Sequence, residues 1–235
     1  MAGGDLIPFV IGVTGHRDPE PGQLPALREK FERILAWVHE HAPDTPILLL
    51  CGLAAGCDQL AARWALEWSR SQGPLAGGVV RIRLGCLLPL ERDEYLKDFE
   101  NDPEALAGFR ELESQAAFVV SISSLAGHAE SKSDGSNRGQ SPAGESRDGC
   151  YERLGRFLAD RSQLLVAFWN RVDNQKRGGT AHVVMTARRI AREGADRLAI
   201  PGRGERHVLA SHDVAVIEVI DTAVSYTHLT LPTKA

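Results

Sequence analysis

The sequence predicts an α/β fold, a mainly parallel sheet with helices on both faces. Two observations point there. Short apolar runs rich in β-branched residues alternate along the chain with longer segments of helical periodicity. Glycine-rich turns end several of these runs and open the helix that follows. The chain has 235 residues, enough to bury a full core, and its 43% hydrophobic and 25% charged content excludes a largely disordered protein.

The elements follow in order. Phe9–Val13 (FVIGV) is a buried strand ended by Thr14-Gly15. Leu24, Leu27, Phe31, Ile34, Leu35 and Val38 recur at helical spacing, so 23–41 forms an amphipathic helix closed by Pro43. Ile47–Cys51 (ILLLC) is a second buried strand, and after the turn at 52–56 an alanine-rich helix covers 57–72. A third strand lies within 79–88, Pro89 leads into a charged helical stretch at 91–99, and 103–115 is helical. Ala116–Ile122 is the fourth strand. Ser123–Gly149 holds almost no large apolar residue and cannot offset its ordering entropy, which predicts a mobile polar loop. Tyr151, Leu154, Phe157 and Leu158 mark another helix, and Leu164–Trp169 is the fifth strand. A helix at 181–193 buries Val183, Val184, Ala187 and Ile190, and Val214–Ile220 is the last strand. No repeat is visible, and the strand–helix alternation implies right-handed crossovers in a Rossmann-like domain spanning 1–223.

Charge and cysteine usage narrow the partners. The net charge is −4 with Lys and Arg scattered, which argues against nucleic acid. The four cysteines form no CxxC pair, as expected of reduced, buried thiols in a cytoplasmic protein. There is no signal-peptide pattern and no run of the roughly 18 apolar residues that a membrane span needs. Self-association is left open. Val224–Thr233 reads VSYTHLTLPT and resembles a translated sequencing-library adaptor, so 224–235 is set aside as an artefact. On that reading the natural protein continues past Ala223, with room for a C-terminal effector.

Chemistry in an open parallel sheet belongs at the carboxyl ends of the strands. Three turns there are distinctive. In the first, Gly12, Thr14, Gly15, His16 and Arg17 combine close backbone approach, a hydroxyl and a forked donor for phosphate. In the second, Gly52, Ala54 and Gly56 are small, and Asp58 is placed to cap a helix or accept from a ribose hydroxyl. The third runs from Asn170 to Gly178, Gly179 and Thr180 at a helix N-terminus, a natural anion site. One glycine turn alone is ordinary turn geometry; three on one edge say more. Tyr95, Asp98 and Phe99 form a helix face beyond the third strand, with Tyr95 a candidate ligand neighbour. Trp64, Trp68 and Trp169 read as core. No His or Cys spacing suits a metal, and no catalytic residue is assigned.

IGVTGHRD (Ile11–Asp18), CGLAAGCDQLAARWAL (Cys51–Leu66), LPLERDEYLKDF (Leu88–Phe99) and LLVAFWN followed by RGGTA (Leu164–Ala181) resemble the SLOG superfamily. That group includes LOG-type phosphoribohydrolases, the DNA-uptake protein DprA/Smf and the N-terminal domains of TRPM channels. The resemblance spans about residues 7–190. It implies a bacterial sensor domain for signalling or defence, binding a nucleotide of NAD or ADP-ribose type with no cofactor required. Two alternatives also follow from it: a nucleotide N-glycosidic hydrolase, and DprA-like single-stranded DNA binding. LOG enzymes carry a catalytic glutamate after their Gly-Gly-x-Gly-Thr, whereas Ala181, His182, Val183 and Val184 follow Gly178-Gly179-Thr180 here. Relatives also carry acidic residues where this chain has Gln163 and Asn170. The departures favour a binding domain, with Asp58 and Glu91 as the substitute carboxylates for any cleavage.

Overall fold

A computed structural model describes residues 6–123, 146–173, 176–197 and 215–219. The strands are β1 (Phe9–Gly15), β2 (Ile47–Cys51), β3 (Ile82–Leu88), β4 (Phe118–Ser121), β5 (Leu164–Phe168) and β6 (Ala215–Val219). The α-helices are α1 (Leu24–His41), α2 (Cys57–Gln72), α3 (Arg92–Leu96), α4 (Pro103–Gln115), α5 (Arg147–Arg161) and α6 (Thr180–Arg197). The strands form one sheet in the order β4-β3-β2-β1-β5-β6, and each neighbouring pair is parallel. This is the expected Rossmann-like arrangement.

Alternation of side chains across the strands divides the core in two. Ile11, Leu49, Leu84 and Val166 point to the face covered by α1, α2 and α4, where Phe31 meets Phe168 edge-on at 5.7 Å. Leu50, Leu87 and Leu165 point to the opposite face, where Leu154 and Leu158 of α5 and Val183 and Ala187 of α6 cover them. A Cβ at Gly155 would come within 2.5 Å of Val183, so this glycine sets the close approach of α5 to α6. Trp64, Trp68 and Trp169 are buried as core.

Several boundaries differ from expectation for local reasons. β1 runs two residues further, through Thr14 and Gly15, because the ladder with β5 continues to the Gly15–Phe168 pair. β3 begins only at Ile82, after a 3-10 turn in which Gly77 and Gly78 take positive φ. The polar stretch ends sooner than composition suggests: Ser146 accepts from the Gly149 amide at 3.2 Å and starts α5 at Arg147. Residues 124–145 and 224–235 lie outside the described residues. Cys51, Cys57, Cys86 and Cys150 are free and buried. Among the described residues, no helix is long and apolar enough to cross a membrane.

The order of strands fixes where a ligand fits. The chain steps from β1 to β4 in one direction, then returns so that β5 lies against the other side of β1. The crossovers diverge there, leaving a crevice beyond the carboxyl ends of β1 and β5.

Candidate functional site

A cavity of about 430 Å³ occupies that crevice. Its walls come from the turns after β1 and β2, the first turn of α2, the end of the α3 segment, the inner face of α5 and the start of α6. Thr14, Gly15, His16, Arg17, Gly52, Ala54, Asp58, Gly178, Gly179 and Thr180 all line it, so most of the residues singled out from sequence converge.

Three expected residues stand behind the wall. Gly12 faces α5, where a Cβ would lie 2.2 Å from Ser162 Oγ. Gly56 has φ of +83° and sits against the Arg17 carbonyl, which a Cβ would approach to 2.0 Å. Its turn is braced further: the Cys57 amide donates to the His16 carbonyl at 3.0 Å. Asn170 reaches across the switch point, with Oδ1 3.0 Å and its amide nitrogen 3.3 Å from His16 Nε2. His16 and Asn170 therefore tie the β1 turn to the β5 turn.

The second turn is held in an unusual backbone state. Leu53 is fully buried with φ of +54°, a left-handed conformation that a branched side chain rarely adopts. Gln59 secures it by donating to the Leu53 carbonyl at 3.1 Å and to the Ala105 carbonyl at 2.9 Å. Tyr95 lines the cavity, but its hydroxyl donates to the Gly52 carbonyl at 2.9 Å and its ring is 1% exposed. Tyr95 thus braces the turn.

Asp58 occupies the first turn of α2 and is buried at the cavity wall. Burial pushes its pKa up to about 7, against the opposing pull of the Ala54 amide, Arg17, the Gly15 amide and the Cys51 thiol. A carboxyl that titrates near neutrality in a cavity can accept a hydrogen bond or exchange a proton. Glu91, the other candidate carboxylate, is not part of the lining and accepts from Ser123 Oγ at 2.9 Å.

Asp98 is the polar centre of the opposite wall. It accepts from Arg17 at 3.0 Å and, by shorter bonds, from Arg147 and Tyr151. Burial works to raise its pKa, but hydrogen bonds from Tyr151, Arg147 and Arg17 outweigh it and hold the carboxylate below its ordinary value. Arg147 also donates to Glu94 Oε1 at 2.8 Å. Farther along the rim, Arg177 donates to Glu152 at 3.0 and 2.5 Å.

The start of α6 offers donors of another kind. Gly178, at φ of +72°, donates its amide to His182 Nδ1 at 3.1 Å, and the Gly179 amide donates to the Lys176 carbonyl at 3.1 Å. Neither glycine amide is therefore presented to the cavity unengaged. The Val183 amide closes the first helical bond on Gly179 at 3.1 Å, so Thr180, Ala181 and His182 carry the first-turn amides that lack an intrahelical acceptor. Thr180 belongs to the cavity lining, and no acidic residue occupies this turn.

Arg147, Tyr151, Lys176 and Arg177 belong to the lining and are missing from the sequence-level set. Among the described residues no cluster of His, Cys, Asp and Glu could hold a metal ion. Burial raises the thiol pKa of Cys51 well above its usual value and that of Cys86 to about 12, so neither is a ready nucleophile. Neither a family model nor a curated protein matches the chain.

Proposed function

We propose that the chain binds a nucleotide of the NAD or ADP-ribose class and acts as a sensor domain. One observation carries the reading: at a switch-point cavity, a buried carboxyl stands on one wall and an acid-free helix N-terminus on another. A sugar hydroxyl suits Asp58, and a phosphate suits the Thr180 end of α6 with Arg17 beside it. The cavity volume of about 430 Å³ falls in the range of small-molecule sites. The SLOG resemblance of the turn motifs supports the same ligand class.

Calorimetry and thermal shift of the full chain with NAD, ADP-ribose and AMP test it. A ligand that binds only the folded state raises the melting temperature as its concentration passes Kd. A folded sample that shifts with none of the three would sink the proposal. A second reading, cleavage of the nucleotide's N-glycosidic bond, is favoured by one observation: Asp58 titrates at about 7, where a general acid or base works best.

A further inference from the structure

We propose that Asp98 is an internal counter-anion: its carboxylate occupies the arginines that an anionic ligand needs and thereby sets which anions enter the cavity. The inference rests on the nucleotide reading for its ligand and on the Asp98 hydrogen bonds for its mechanism. Donors from two separate parts of the fold meet on this one side chain. Arg17 arrives from the turn after β1, while Arg147 and Tyr151 come from the first turns of α5. The carboxylate is mostly buried, with 13% of its side chain exposed, and both arginines line the same cavity.

Such a network holds both guanidinium groups in place while no ligand is bound. It also sets a fixed negative charge beside the position a phosphate would take on Arg17. Like charges at close range oppose one another, here moderated by solvent because the Arg17 and Arg147 side chains are 45% and 38% exposed. An incoming anion must either pull Arg17 from Asp98 or share it at reduced strength. Weakly charged anions do neither well, so the carboxylate discriminates in favour of ligands that add contacts elsewhere, at Asp58 and Thr180.

The test uses inorganic pyrophosphate and ADP-ribose, titrated calorimetrically into the full chain and two variants. Asp98→Asn keeps the side-chain shape and the acceptor for Tyr151 but removes the charge, and should tighten pyrophosphate binding about tenfold. Asp98→Glu keeps the charge and should not tighten pyrophosphate binding. If Asp98→Asn folds poorly, Asp98→Ser removes the same charge. Equal or weaker pyrophosphate binding in the neutral variants would overturn the inference, showing that Asp98 merely orients the arginines. That result alongside native ADP-ribose binding leaves the nucleotide reading standing. Tighter pyrophosphate binding with no ADP-ribose binding in any variant supports the counter-anion and defeats the nucleotide reading. Binding of neither probe by any variant defeats both.

Discussion

Two helices begin at the cavity, and they end their backbones differently. α2 carries its own carboxyl, Asp58, in the first turn, held near the Ala54 and Gly15 amides. α6 carries no acidic residue in its first turn, and Thr180 at its start lines the cavity. Both termini bear the same positive partial charge. One has a carboxyl in its first turn and the other has none. The difference teaches that glycine-rich turns of similar appearance need not offer similar sites. The α2 end presents an acceptor to the cavity, and the α6 end presents a donor.

The largest effect is expected where the acceptor is buried. Asp58 has a folded pKa of about 7 against an ordinary value of 3.8. Below 3.8 both states hold the proton, and Asp58 makes no demand on stability. As pH rises, the unfolded chain loses its proton first while the folded chain keeps it to about 7. Stability attributable to this group is therefore full in acid, falls across that window and levels off above it, by on the order of 4 kcal/mol. Asp58→Asn should remove the fall, so the native chain's stability relative to the variant in chemical unfolding should decrease from pH 4 to pH 8. A constant difference would mean that Asp58 ionises freely, and the contrast between the two helix ends would dissolve.

The donor end is tested by its backbone. Gly178→Ala places a Cβ 2.4 Å from the Tyr151 Cβ and 2.8 Å from the Glu152 amide nitrogen, at φ of +72°. Strain and overlap together should cost about 2–3 kcal/mol of stability and displace the start of α6. Nucleotide affinity should fall with it. Arg17→Ala should be gentler on folding and weaken phosphate-bearing ligands by about 1.5 kcal/mol. Measured by calorimetry, the Arg17 loss should appear with pyrophosphate and be absent with a neutral nucleoside. An equal loss for both would remove Arg17 from the anion contacts.

Among the described residues the order of the long helices and strands was legible because each strand is a short apolar run and each long helix has one apolar stripe, although the fourth strand ends at Ser121 and helix begins at 122. Ile47–Cys51 and Cys57–Gln72 are bounded by turn residues on both sides, and their limits match the expectation. Much of the site was legible too, since Thr14, Gly15, Arg17 and Asp58 sit in turns whose composition is unusual. The Asp98 wall was not. Asp98 meets Arg147 across 49 positions and Tyr151 across 53, and no local pattern signals such a pairing. Arg147 also lies in a stretch whose polarity predicts a loop, where Ser146 nonetheless caps a helix. The glycine amides of the third turn mislead for a similar reason, because only folding brings His182 Nδ1 onto Gly178.

The smallest expected effect is none at all, and it decides whether the two helix ends form a sensor or an active site. Cleaving an N-glycosidic bond develops positive charge on the sugar, which a placed carboxylate stabilises while an activated water attacks. Asp58 is the cavity's buried carboxyl with a pKa near 7, and it is held near the backbone amides of Ala54 and Gly15. Asp98, half-buried on the wall, is engaged by two arginines and a tyrosine, which favour its ionised form. The first turn of α6 supplies Ala181, His182 and Val183, with no carboxylate. The exposed carboxylates Asp18 and Asp148 also line the cavity, and Asp58 is the buried one whose proton could serve a cleavage. On the sensor reading none of them turns the ligand over. NAD or ADP-ribose incubated with the protein should be recovered intact by chromatography, at the rate of the buffer control. Steady release of nicotinamide or ribose phosphate, abolished by Asp58→Asn in a folded variant, would reverse the assignment and make the α2 end catalytic.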